Sequence, residues 1–130
     1  MADTTLPPVE PEANALHHQS LSAIRQAWDA SLATYLAAAA RTEQFKADRL
    51  RPAYTTGKRS FAQVSKLEAE ADRLFEAQAD RLWELLATPA PDLPALIAKM
   101  DYSYRDYLIF ELSSREAFTH LMNDARRFCS

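Results

Sequence analysis

Two long runs of helix-forming residues, 14–51 and 60–87, constrain this chain more than any other feature. Neither run contains glycine or proline, and the only glycine of the 130-residue chain, Gly57, lies between them. In both runs, from Leu21 to Phe45 and from Phe61 to Leu86, apolar residues recur at intervals of three and four, which places them along one side of an α-helix that faces its partner. Hairpins and sheets usually need several glycines in their turns. We therefore predict an all-α protein in which each run is a single helix.

The length of the first predicted helix indicates how it must pack. At 1.5 Å per residue it would extend roughly 55 Å, which is too long for the interior of one small domain. It needs a partner of similar length, and the second run provides one. The connection, 52–59, is short and begins with Pro52, which we expect to end the first helix. A short connection favours a long, coiled-coil-like antiparallel helical hairpin.

Local signals also mark the ends of the second helix. Ser60 and Gln63 have the spacing of a capping box, in which each side chain binds the other residue's backbone N–H. Pro89 and Pro91 cannot continue the helix and predict a rigid elbow after it. Asp92 is then suited to cap the next helix.

Two shorter helices are predicted to follow the elbow, over 93–112 and 114–128. Ser113 and Glu116 fit a second capping box, so residues 112–114 are either a break or a kink. The apolar periodicity predicts that one set of residues in each of these helices faces the core. They are Leu96, Ile97, Met100, Tyr104, Tyr107, Leu108 and Glu111 along one side of the third helix, and Ala117, Phe118, Leu121, Met122, Ala125 and Phe128 in the last.

Composition sets the class of protein. With 130 residues, 48% apolar and 25% charged, the chain fits one domain, expected over 14–130. The acidic, proline-rich residues 1–13 are expected to be a disordered tail. The single cysteine, Cys129, excludes an intrachain disulfide, and no leader or membrane-spanning run is visible, so we expect a cytoplasmic protein. A net charge of −3 makes nucleic acid an unlikely main partner.

A ridge of carboxylates runs along the polar side of the second predicted helix. Its members are four residues apart, so they stack on one face and repel one another slightly. Arg73 and Arg81 have the spacing to pair with two of them. The ridge is either a solvated face or a docking surface for a basic partner or for Arg25, Arg41, Arg49 and Arg51 of the first helix. The five residues are Glu68, Asp72, Glu76, Asp80 and Glu84.

Aromatic residues supply a second set of protein-binding candidates. The end of the third predicted helix is apolar nearly all round, which indicates burial inside the fold or at an interface. The candidates are Trp83, Tyr102 and Phe110. They are more typical of core and interface than of a base-stacking platform.

Catalytic and metal-binding chemistry is weakly signalled. Arg115 and His120 have the spacing Arg-x4-His, which resembles the signature of the HEPN ribonucleases, a family of all-helical and often dimeric enzymes. That resemblance implies His120 as the acid–base group and Arg115 as the phosphate stabiliser. The adjacent His17 and His18 point in different directions on a helix, so no metal site is predicted there. No cofactor is expected.

Residues 70–101 resemble a group of small, uncharacterised helical proteins from alphaproteobacterial genomes and prophages. The shared features are a helix with Asp-Arg-Leu and the turn Thr-Pro-Ala-Pro-Asp-Leu at 88–93. The resemblance implies a phage-related role and brings no activity with it. We therefore expect a non-enzymatic helical interaction or scaffold protein that forms a homo-oligomer, with a dimer favoured. The alternative is a HEPN-like ribonuclease.

Overall fold

The computed structural model describes residues 11–106 and 114–129. The described chain forms α1 (Pro11–Phe45), a π-helical segment (Lys46–Leu50), α2 (Arg51–Thr56), α3 (Phe61–Ala87), α4 (Leu93–Arg105) and α5 (Ser114–Cys129). No strand occurs within these two ranges. The all-α prediction is therefore confirmed.

The first three elements are continuous over residues 11–56, and we call them together the first rod. The first rod and α3 form the predicted antiparallel hairpin. Near its base, the Thr88 hydroxyl lies 3.3 Å from that of Ser31. Towards its tip, Phe45 and Leu67 line the same cleft. As the chain position increases along the first rod, it decreases along the facing part of α3, so the two helices are antiparallel. Their apolar edges face each other over most of their length. The first rod begins at Pro11, within the segment assigned to the tail, because proline is well tolerated in the first helical turn.

The first rod does not end at Pro52, contrary to the prediction. The backbone N–H of Arg51 donates to the carbonyl of Lys46, five residues earlier, so the hydrogen-bond register shifts just before the proline. Pro52 then lies in the first turn of α2, where its missing N–H costs little. Gly57 ends the rod instead, with a left-handed φ of 61° that glycine adopts without steric cost.

The predicted caps of α3 and α4 are confirmed. Ser60 accepts a hydrogen bond from the backbone N–H of Gln63, whose side chain accepts one from the Ser60 N–H. Asp92 accepts a 2.9 Å bond from the N–H of Ala95. The α4 helix stops at Arg105, earlier than the predicted end, because the backbone of the next residue turns out of helical geometry.

The predicted break at 112–114 and the second capping box depend on residues within 107–113, which lie outside the described ranges. The same holds for Phe110 and for the predicted core-facing residues Tyr107, Leu108 and Glu111. The last helix, α5, ends at Cys129, one residue beyond the prediction.

The core lies at the base of the hairpin, where α4 and α5 pack against the C-terminal half of α3 and the middle of α1. Large aromatic residues of α1 meet leucines of α3 there, and small alanines let the shorter helices approach closely. The buried cluster comprises Trp28, Tyr35, Leu82, Leu85, Leu86, Ala90, Ala95, Leu96, Ala117 and Leu121.

Several apolar residues predicted to face inward are exposed instead. At the tip, Phe61 is 88% exposed because the first residue of α3 extends beyond its contacts with the first rod. In α4, the buried face is centred on Lys99 and Ser103, so the helix is rotated away from the predicted orientation. The other residues that were predicted to face inward and are exposed are Ile97, Met100, Tyr104, Phe118, Met122 and Phe128.

Candidate functional site

The five carboxylates of the predicted acidic ridge are all exposed along α3. Arg81 pairs with Glu84 at 2.6 Å, as predicted. Arg73 pairs with Glu70 rather than with Glu76, because both residues are three positions away from it and only one can be favoured at a time. Within the described ranges, Glu84 is therefore the one ridge carboxylate with an ion pair, and the other four are exposed without one.

The arginines of the first rod do not pair with this ridge in the described structure. Arg25 binds Asp92 in the elbow, and Arg51 binds Glu43 at 3.4 Å. Arg49 lies over the ring of Phe45, and no ion pair of Arg41 occurs within the described ranges. The intramolecular docking alternative is therefore wrong for the described residues.

The two described aromatic candidates lie at the edge of the core. Trp83 is half-buried and packs against it. The ring of Tyr102 lies 4.9 Å from that of Tyr35, and the guanidinium of Arg105 lies 5.2 Å from the Tyr102 ring. Both side chains therefore contribute to internal packing, with part of their surface accessible.

The residues of the Arg-x4-His spacing are not brought together. They are five positions apart on α5, so they lie on different sides of the helix. Arg115 lines a shallow groove with Phe118 and Met122. His120 lies 4.0 Å from Glu116. Nothing in the described geometry aims an acid–base group and a phosphate-binding group at one substrate position.

A buried ion pair that the sequence analysis missed joins α4 to α5. The Lys99 ammonium lies 2.5 Å from Asp124 and donates a 2.9 Å hydrogen bond to the carbonyl of Leu86. It also lies 5.7 Å from the centre of the Trp28 ring. Burial lowers the pKa of Lys99, and the hydrogen bond to Asp124 opposes that shift. From α4, this one side chain thereby contacts α1, α3 and α5.

Asp124 uses its second oxygen to hold the elbow. That oxygen accepts hydrogen bonds from the Ala90 backbone N–H at 3.3 Å and from Arg127 at 2.6 Å. Arg127 also donates to the Ala90 carbonyl at 2.8 Å. Lys99 and Asp124 are almost completely buried, whereas the Arg127 side chain is 42% exposed, so the group holds the helices in place with its cationic rim at the surface.

A second buried polar group fixes the C-terminal end of α4. Asp106 accepts hydrogen bonds from the Tyr35 hydroxyl at 2.8 Å and from the Gln78 amide at 2.9 Å. Burial, together with the hydrogen bond to Asp106, strongly raises the pKa of Tyr35. Asp106 directly follows the last residue of α4, so this contact ties the end of α4 to both rods of the hairpin.

These two groups hold the inner face of α4, and its outer face is apolar. Leu93, Ile97 and Met100 are 56%, 56% and 53% exposed, and they follow one another at intervals of four and three. We call these three residues the α4 stripe. Tyr104, one turn later on the same side, is also exposed. A stripe of this spacing is the pattern by which one helix packs against another.

The stripe was missed because apolar residues cover more than one face of α4. Sequence periodicity assigned them to the core, whereas Lys99 and Ser103 occupy the inner positions. The sequence did contain one indication: the apolar surface of this helix is too wide to be covered by a single neighbouring helix, so part of it had to remain exposed.

Within the described ranges, no group of three or more His, Cys, Asp or Glu residues is placed to hold a metal ion. None of the described helices combines the length and apolar character needed to cross a membrane. Comparisons with protein-family models, curated proteins and solved structures find no match.

Proposed function

We propose that this protein is a non-enzymatic helical interaction protein that self-associates through the α4 stripe. The observation that carries the proposal is the contrast between the two faces of α4. Its inner face is held by buried hydrogen bonds that Lys99 donates and Asp106 accepts, so its position is well determined. Its outer face presents three large apolar side chains to solvent on this rigid support.

A second copy of the chain is a suitable occupant because the stripe is self-complementary. A two-fold axis beside Ile97 sets two α4 helices antiparallel, with Leu93 of each copy facing Met100 of the other. The nearest exposed charge, Asp101, borders the stripe one turn after Ile97 rather than lying among its three residues, so the pairing can leave this carboxylate at the solvent-accessible edge. The intervals of four and three allow side chains of one copy to fit between those of the other.

The size of the stripe predicts a weak dimer. Burying the exposed half of each apolar side chain contributes about 1 kcal/mol to the free energy of association. The three side chains of each copy therefore contribute about 6 kcal/mol in the dimer. This is close to the lower limit of the free energy that association costs. We therefore expect a monomer–dimer equilibrium that depends on protein concentration, rather than an obligate dimer.

The proposed setting is the cytoplasm, supported by the exposed free thiol of Cys129, which a reducing compartment preserves. A phage-related role rests on the resemblance of residues 70–101 alone.

Sedimentation equilibrium over a wide range of protein concentrations tests the proposal. We expect the apparent mass to rise from 14.7 kDa towards twice that value in the wild type. Ile97→Glu should remain monomeric, because it places a charge at the centre of the interface. The matched control is Leu36→Glu, an equally drastic change at an exposed leucine of α1. A wild type that stays monomeric throughout, or equal loss in both variants, contradicts the proposal.

A further inference from the structure

The charge of this chain is strongly segregated, although its net value is only −3. Residues 41–66, which form the tip of the hairpin, contain seven of the 15 basic residues and two of the 18 acidic ones. The tip therefore carries a net charge of +5 and the rest of the chain −8. Anionic ligands respond to the local potential, so the overall charge does not exclude an anion-binding site at the tip.

A cleft of about 480 Å³ lies at this tip, between the end of the first rod and the first turns of α3. Its floor is apolar, formed by the half-buried ring of Phe45 and by the buried Leu67. Its volume is within the range of pockets that hold small organic ligands. Four basic residues surround the floor, namely Arg49, Arg59, Lys66 and Arg73.

Most of this positive charge is not neutralised by the protein. Arg73 pairs with Glu70, the only acidic residue of the lining. Arg49 contacts the Phe45 ring at 5.7 Å. Within the described ranges, neither Arg59 nor Lys66 has a carboxylate within ion-pair distance. The lining thus carries a net charge of +3, and the adjacent N-terminus of α3 adds partial positive charge.

We propose that the tip cleft binds a nucleotide, either free or as a unit of a single strand. Three of its four cations are arginines, whose planar forks match phosphate oxygens. A net charge of +3 is balanced by a multiply charged phosphate group, whereas a single carboxylate balances one charge. The apolar floor provides a surface for a flat base, as aromatic side chains do in single-strand-binding proteins.

Equilibrium binding to the full-length chain at low ionic strength tests this site, since exposed charges are weakly screened there. The probes are ATP, inorganic tripolyphosphate, a short oligothymidylate and an oligoglutamate peptide. The variant Arg49→Ala/Arg59→Ala removes two cations from the cleft. The matched control, Arg81→Ala/Arg126→Ala, removes two arginines that lie outside the cleft and changes the net charge equally. Circular dichroism confirms that both variants are folded.

We expect ATP or the oligothymidylate to bind more tightly than tripolyphosphate. The cleft variant should weaken that binding about tenfold or more, as expected for the loss of charge-assisted hydrogen bonds. The control variant should leave it nearly unchanged. Which nucleotide probe binds more tightly decides between a free nucleotide and a strand. Equal loss in the two variants, equal affinity for tripolyphosphate, preference for oligoglutamate, or no binding would each overturn the proposal.

Discussion

The ammonium group of Lys99 lies 2.5 Å from the carboxylate of Asp124, with both side chains almost completely buried. The two residues are 25 positions apart, on helices that pack side by side. Each also makes a hydrogen bond to the backbone around the elbow, through Leu86 and Ala90. The pair thus fixes α4 relative to α3 and α5, and with it the direction in which the α4 stripe faces.

Removing one member of this pair should be strongly destabilising. Lys99→Met keeps most of the side-chain volume but leaves the buried Asp124 carboxylate with Arg127, at 2.6 Å, as its remaining cation. We therefore expect a loss of about 3 kcal/mol in the free energy of unfolding, the lower end of the range for breaking a buried ion pair, measured by urea denaturation. The control is Arg81→Met, which breaks an exposed pair of almost the same length, 2.6 Å, and should cost less than about 1 kcal/mol. Similar losses in the two variants would show that Lys99 is not buried as described.

Tyr35 should make stability depend on pH above its ordinary pKa of 10.0. Burial and the hydrogen bond to Asp106 raise its pKa in the folded state, so the unfolded chain loses this proton at a lower pH. The stability contributed by the protonated phenol is complete below pH 10.0 and falls as the pH rises. Tyr35→Phe should make the alkaline decline shallower by up to about 1.4 kcal/mol per pH unit. Urea titrations across this range measure the slope, and parallel curves would refute the assignment.

Gly57 should be replaceable only at the cost of backbone strain. Its φ is 61°, and a Cβ atom added there would meet nothing within 4 Å. Gly57→Ala should therefore cost about 1 kcal/mol, all of it from the left-handed conformation. Gly57→Asn should cost less, because asparagine tolerates this conformation better. Thermal unfolding compares the two, and an alanine variant as stable as the wild type would count against a left-handed turn.

Asp92 combines two roles that conservative changes can separate. It caps α4 through the Ala95 N–H and binds Arg25 of α1. These contacts lower its pKa, the backbone hydrogen bond most, so its contribution is present above pH 3.8 and is lost as the pH falls further. Asp92→Ala should cost about 1 kcal/mol through the lost cap. Asp92→Asn keeps a cap and should cost less at neutral pH; equal costs would mean that the cap contributes little.

Local patterns in the sequence were sufficient to predict the hairpin and its caps. The periodicity of 60–87 and the Ser60–Gln63 spacing depend on neighbouring residues, so they could be read without tertiary information. Pro52 was misjudged because its effect depends on the hydrogen-bond register of the preceding turn, which shifts to a π-helical pattern. Nothing in the local sequence signals that shift.

The faces of α4 and α5 could not be predicted in the same way. A lysine is normally an exposed residue, and Lys99 is buried only because Asp124, distant in sequence, meets it. Once Lys99 and Ser103 occupy the inner face, Ile97 and Met100 must point outward. The orientation of each helix was therefore decided by a long-range polar contact that periodicity does not detect.

Disulfide trapping at Ile97 tests the central claim, self-association through the α4 stripe, most directly, because it captures even a weak dimer. In a Cys129→Ser background, Ile97→Cys places a thiol beside the proposed two-fold axis, and Leu36→Cys places one on α1 as a control. Mild oxidation should convert the Ile97→Cys protein into a covalent dimer much faster than the Leu36→Cys protein. Equal rates for the two proteins, or no dimer from Ile97→Cys, would contradict the account.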